Sequence, residues 1–427
     1  MASPDPCLKQ PSAPKARWGM VTLCFAATAI NYLDRTNLSL AVPAIQHEFK
    51  LSSTQMGFIL SGFFWTYAIM QLPSGWLVDR LGPKIVYAVS VAWWSLFTMA
   101  TAIGQGMASL VGCRLMLGAG EAAAYPCNTK VTSVWFRRSE RAFASSIFDS
   151  GSRVGAALAW PIVGYLITAF GWRISFLVTG GLGFIWILAW AKWYRDPKVN
   201  EHATDPEPAV GFTEVTAKPL PWKSLFKYRT IWGMMIGFFC LNFVIYFFIT
   251  WFPAYLVRAR GFSMLKVGTV GAIPAMCAVV GGWIGGYASD SLYNRGWSLN
   301  AARKTCLAGG LLVSSCIAAA ALVKSESAAM VLFCISYASL AFTGANIWCL
   351  PADVAPTKGH VASIAGIQNF ASGLAGALTT TFTGYMLGIT GGSFVLPLVI
   401  GGGVCILGAL SYLFIIEKIE PLPGLEP

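Results

Sequence analysis

Charge is what this sequence has least of. Only 11% of its 427 residues are Asp, Glu, Lys or Arg, where a soluble globular domain carries about a quarter. Most of its surface therefore faces something other than water. Histidine is nearly as scarce: His47, His202 and His360 are the only three, and their spacing suits no metal site. No metal and no cofactor are expected. Eleven cysteines contain no Cys-x-x-Cys pair, and most fall inside apolar runs, as Cys24, Cys113, Cys240, Cys277 and Cys334 do. They read as small buried hydrophobes. No nucleophile–base–orienter set and no phosphate loop is visible, so an enzyme is not expected. The opening stretch, Met1 to Arg17, is polar and proline-rich and lacks the short apolar core of a cleavable signal. The first apolar run is expected to act as its own membrane-targeting signal.

What is present is apolar length. The composition is 56% hydrophobic, and a helix needs about 20 apolar residues to cross a bilayer. Runs and breaks predict spans near 18–43, 55–79, 83–103, 107–131, 141–169 and 173–194, then 229–256, 263–288, 301–323, 327–350, 360–388 and 391–416. The expected protein is all-α, with twelve transmembrane helices in two six-helix halves, 18–194 and 229–416. A polar segment, 1–17, precedes them, a Pro-rich linker, 195–228, joins them, and a tail, 417–427, follows.

The net charge of +12 is topological rather than a nucleic-acid footprint. Placing both termini inside puts Arg17, Arg80, Lys84, Arg137, Arg138, Arg141, Arg195, Arg229, Arg295, Arg303 and Lys304 on the cytoplasmic side, among others. The outside keeps Lys50, Arg173, Arg258, Arg260, Lys266 and Lys324. That bias follows the positive-inside rule.

The halves share a signature. Between spans two and three stands Gly75-Trp76-Leu77-Val78-Asp79-Arg80-Leu81-Gly82-Pro83-Lys84. Between spans eight and nine stands Gly286-Tyr287-Ala288-Ser289-Asp290, followed by Arg295 and Arg303. Each copy sets Gly four residues before Asp at a cytoplasmic helix end. The glycine permits close helix approach, and the aspartate can cap or pair with the neighbouring bundle. Gly75, Asp79, Arg80, Gly82 and Asp290 are expected to form a conformational latch.

These loops resemble the signature loops of the major facilitator superfamily. The resemblance implies two repeat-related halves that rock around a midplane site. A closer likeness covers nearly the whole chain. Asn31-Tyr32-Leu33-Asp34-Arg35-Thr36-Asn37, Gln71-Leu72-Pro73-Ser74-Gly75-Trp76, Arg114-Leu115-Met116-Leu117-Gly118-Ala119-Gly120-Glu121, Thr250-Trp251-Phe252-Pro253 and Leu265-Lys266-Val267-Gly268 resemble the anion:cation symporter family. The resemblance is especially to its bacterial sugar-acid permeases for glucarate, galactonate and hexuronates. The loop from His47 to Thr54 is short and holds no glycosylation acceptor, unlike the long loop of animal members. That favours a bacterial inner-membrane protein, and the multi-pass chain is expected to work as a monomer.

Ionisable groups inside spans cost about 2.5–3.5 kcal/mol each on insertion scales. Asp34, Arg35, Arg114, Glu121, Asp149 and Arg153 all fall well inside predicted spans, three charges of each sign. Helical rise places Arg35 and Arg114 at similar height, and Glu121 two turns from Arg114 near the midplane. Asp34 is expected to turn toward span four and pair with Arg114, leaving Arg35 to the cavity. A carboxylate substrate suits the two parallel donors of a guanidinium, and a carboxylate in a dry cavity can exchange a proton. The resemblance implies the same roles. Arg35 is the expected anion anchor, Asp34 and Glu121 are proton sites, and Arg114 is the switching counter-charge. Tyr32, Tyr67, Trp348 and Asn369 match cavity positions of the sugar-acid permeases.

One departure concerns the substrate. Those permeases show Phe-Asn-Ser-Ala-Gln in span five, and this chain reads Phe148-Asp149-Ser150-Gly151-Ser152-Arg153. Arg153 is either a further substrate-binding cation or the local neutraliser of Asp149 one helical turn away. The expected function is proton-coupled import of a small organic anion, foremost a sugar acid. A dicarboxylate or aromatic-acid permease of tartrate or phthalate type is the alternative. A drug exporter fits poorly, because Trp160-Pro161-Ile162-Val163-Gly164 lacks the exporter element and the arginines would repel cations. A transporter-like sensor is the remaining rival, and it usually carries an added output segment.

Overall fold

The computed structural model describes residues 16–51, 53–197, 222–262, 270–356 and 358–423. Most of the expected linker, nearly all of the N-terminal segment and the Leu265-Lys266-Val267-Gly268 motif lie outside the described residues.

Twelve helical segments stand among the described residues, close to the expected spans. The first half holds α1 (Ala16–Phe49), α2 (Ser53–Leu81), α3 (Pro83–Thr101), α4 (Met107–Glu121) with α5 (Ala124–Trp135), α6 (Arg141–Phe170) and α7 (Trp172–Trp193). The second holds α8 (Arg229–Thr250) with α9 (Phe252–Arg260), α10 (Ile273–Asn294), α11 (Leu299–Ser314) with α12 (Ile317–Leu322), α13 (Glu326–Ile347) with α14 (Leu350–Val354), α15 (Val361–Ile389) and α16 (Val395–Leu410). Seven described segments are long and apolar enough to cross a membrane on length and composition alone. Others fall short because polar groups enter them: α1 buries Asn31, Asp34 and Asn37. The outward faces are apolar instead, as exposed Phe58, Ile185, Leu188 and Phe414 show. That inverts the soluble pattern, as a bilayer requires.

Sequence chemistry sets the turns. α2 reverses into α3 at Gly82, whose φ of 81° suits a residue without Cβ, and Pro83 opens the next helix. Within the first half, α6 lies directly on α1. A Cβ on Gly155 would stand 2.1 Å from the Ala29 carbonyl oxygen. Small residues let backbones approach where lipid supplies no hydrophobic drive.

The ends of the described chain sit at one end of the bundle. Arg17 pairs with Glu140 just before α6, and the Leu422 N–H donates to the Val354 carbonyl at 2.9 Å. The halves are sealed against each other at this same end. Gly75 abuts the Ala362 backbone, and Asp79 accepts the N–H groups of Ala362 and Ser363 at 3.2 and 2.7 Å. In the repeat-related copy, Gly286 abuts Ala142, and Asp290 accepts from the N–H groups of Ala142 and Phe143 at 3.3 and 2.9 Å. Each half thus caps the first turn of a helix in the other, where backbone N–H groups have no helical partner and the dipole favours an anion. Arg80 does not join this contact: it is exposed and lies over Trp76, 5.1 Å from the ring centre.

Candidate functional site at the midplane

Two helix breaks place the central side chains. Pro126 has no N–H to offer the Ala122 carbonyl, so span four parts into α4 and α5 immediately after Glu121. Pro351 does the same to Ile347, so span ten parts into α13 and α14 at Trp348 and Cys349. The orphaned Ile347 carbonyl accepts instead from the Gln368 amide at 3.3 Å. Tyr125, beside the first break, stacks on Trp348 at the second, with centroids 4.4 Å apart and planes 20° apart. Phe148 and Phe238 meet the same indole edge-on.

Arg35 sits in an aromatic cradle. Its guanidinium lies 4.8 Å from the centre of Tyr32, 4.6 Å from Phe63 and 4.6 Å from Tyr67. Its Nε donates to a Glu121 oxygen at 2.6 Å. Arg35 keeps 14% of its side chain accessible and Glu121 none. An incoming anion therefore meets the arginine before the carboxylate. The other Glu121 oxygen and one Arg35 Nη are buried without a partner. Arg114 lies over the same Phe63 ring, 4.9 Å from its centre.

Asp34 departs from expectation. It does not pair with Arg114: neither carboxylate oxygen has a hydrogen-bond partner, and the side chain is buried. It points among α1, α3 and α7, toward the hydroxyls of Thr98 and Thr179. One residue along a helix rotates the side chain by 100°, and that turn carries Asp34 away from span four while Arg35 takes the side facing Glu121. The expected Arg114–Glu121 neighbours share a region, but the bonded pair is Arg35 with Glu121.

The remaining candidates meet at the seam between the halves. The Asn369 amide donates to the Tyr67 hydroxyl at 3.1 Å, joining α15 to α2. Arg153 donates to Asp149 at 3.0 Å, and the Tyr125 hydroxyl lies 3.4 Å from the other Asp149 oxygen. A Cβ on Gly344 of α13 would stand 3.8 Å from Asp149, so the pair faces the opposite half.

Some residues escaped the sequence reading. Asp353 is fully buried and accepts from Arg141 at 2.7 Å and from Arg303 at 3.0 Å. Arg303 also donates to Asp290 at 3.0 Å. Lys130 donates to Asp79 at 2.8 Å. In the sequence Arg141 stands out only as a basic topology residue, and Arg303 as that and as a basic residue of the second signature copy. The prolines at 126 and 351, inside apolar runs, were the signal for Tyr125 and for both breaks.

Paired helical halves, sealed at one end around a charged, aromatic midplane, define a class of multi-pass membrane protein. Sequence comparison specifies it. The family described as Major Facilitator Superfamily matches residues 24–380. The chain is 33% identical over 421 residues to a D-galactonate transporter of Escherichia coli O6:H1, across 95% of this chain and 97% of that one. It is 36% identical over 431 residues to GudP of Escherichia coli K12, a probable galactarate/D-glucarate transporter, across 95% and 94%. In fold it matches the proton:xylose symporter XylE bound to 6-bromo-6-deoxy-D-glucose, with a TM-score of 0.77 over 96% of this chain and 98% of that one. At 13% identity that likeness is one of fold alone. The chain belongs to the Major Facilitator Superfamily.

Proposed function

We infer that this protein imports a sugar acid together with protons, with Arg35 as the carboxylate anchor. The observation that carries the reading is the 2.6 Å Arg35–Glu121 pair, whose carboxylate is buried and half unpartnered. In the empty carrier Glu121 occupies the guanidinium. A proton on Glu121 removes that competition and frees the fork for the substrate carboxylate. Anion and proton then bind together. Asp34 is the second proton site, Arg114 the counter-charge that stays behind, and Tyr32, Tyr67, Trp348 and Asn369 read the hydroxylated chain. The named relatives, transporters of galactonate and of galactarate or glucarate, support this substrate class.

The positive-inside bias supports a cytoplasmic sealed end, in a bacterial inner-membrane protein with both termini inside. The conformation is then outward-facing, and Gly75, Asp79, Gly82 and Asp290 serve as the latch that must part for release. The working unit is a monomer. The test is uptake into proteoliposomes of radiolabelled galactonate, glucarate and galactarate. An imposed gradient, acid on the substrate side, should drive accumulation. Uptake indifferent to both pH gradient and membrane potential would leave exchange, not symport.

A further inference from the structure

The Asp149–Arg153 pair lies apart from the Arg35 anchor and needs its own account. Both side chains are on α6 and keep about a tenth of their surface accessible, 11% and 10%. A neutraliser buried in helix packing would need no such access. Only one terminal nitrogen of Arg153, Nη1, donates to Asp149, so that pairing does not use up the guanidinium. Between the two arginines runs a row of polar groups. Tyr32 lies against Arg35 and beside Tyr125, and the Tyr125 hydroxyl reaches Asp149. Tyr67 and Asn369 flank that row.

We propose that Arg153 is a second carboxylate subsite, so that this carrier selects sugar acids with a carboxylate at each end. The proposal deepens the sugar-acid reading above and rests on it. A guanidinium at each end with hydroxyl and amide groups between them matches a hydroxylated chain carboxylated at both termini. The substrate's second carboxylate takes the Arg153 donors that Asp149 leaves over.

Charge balance points the same way. Arg35, Arg114 and Arg153 oppose Asp34, Glu121 and Asp149, so the empty midplane is neutral. Protons on Asp34 and Glu121 leave a net charge of two positive. A dianion cancels it; a monoanion strands one positive charge in a low-dielectric interior, where an uncompensated charge is costly.

The experiment compares galactarate, a dianion, with galactonate, its monocarboxylate counterpart, by calorimetric binding to purified protein and by proteoliposome uptake. The wild type should prefer galactarate. Arg153→Gln should weaken galactarate about tenfold to a hundredfold more than galactonate, the range of one charge-assisted hydrogen bond. If that variant does not fold, Asp149→Asn with Arg153→Gln restores neutrality, and it should show the same selective loss. Equal affinities in the wild type, or a galactarate preference that the folded double variant leaves undiminished, would overturn the second subsite. That outcome leaves the sugar-acid reading standing. Failure of the folded wild type to bind galactarate, glucarate or galactonate removes both.

Discussion

Arg35 holds Glu121 by one 2.6 Å bond, while the second oxygen of that fully buried carboxylate is bonded to nothing. Such a carboxylate is finished either by a proton or by a rearranged arginine. Glu121→Gln keeps the shape and mimics the protonated state. It should bind substrate with a flattened pH dependence and still exchange it, yet lose accumulation driven by a pH gradient. Calorimetry across pH 5–8 alongside gradient-driven uptake checks this. Loss of binding in a folded variant would make Glu121 a direct substrate ligand.

Arg35 cannot be exchanged for lysine at equal charge. An ammonium offers no parallel fork and does not spread over Tyr32, Phe63 and Tyr67. Arg35→Lys should weaken binding by about 1.5–3 kcal/mol, the worth of a hydrogen bond to a charged group. A titration that returns the wild-type affinity would move the anchor to Arg114, which shares the Phe63 ring.

Asp353 bridges Arg141 of the first half and Arg303 of the second without contact with water. Asp353→Asn leaves buried Arg141 without its anion and Arg303 with Asp290 alone, at about 3–5 kcal/mol when a buried pair loses one partner. The loss should appear as a lower melting temperature and as opening of the sealed end. Cys349, buried against Ser145 across the seam, is a native reporter. Its maleimide labelling, located by mass spectrometry, should accelerate. Unchanged labelling and melting would mean the triad does not hold the halves together.

Gly75 tests the same closure through sterics. A Cβ there would lie 2.3 Å from the Ala362 carbonyl oxygen, a backbone atom that cannot swing aside. Gly75→Ala should wedge α2 from α15 and expose Cys349. Gly57→Ala on the same helix meets nothing within 4 Å and is the control. Equal labelling in the two variants would show that the close approach is dispensable.

The sequence carried the architecture in local signals. Apolar runs set twelve helical segments near their expected bounds, and Gly75 with Asp79 and Gly286 with Asp290 announced the seam by their spacing. The intramembrane charges drew attention to Arg35, Arg114 and Glu121 because such residues are costly unless paired or functional. Linear separation concealed the rest. Asp353 is 212 residues from Arg141, and no periodicity relates them.

Hydropathy and helical period are properties of one segment, so the sequence alone determined where the long apolar helices run and which charged residues fall inside them. Partnership depends on the rotation and spacing of helices far apart in the chain. Only tertiary packing turned Asp34 toward Thr98 and Thr179, joined Arg35 to Glu121, and brought Tyr125 onto Trp348 between two proline breaks. A rotation of α1 by about 100° would exchange the surroundings of Asp34 and Arg35 without changing a single residue.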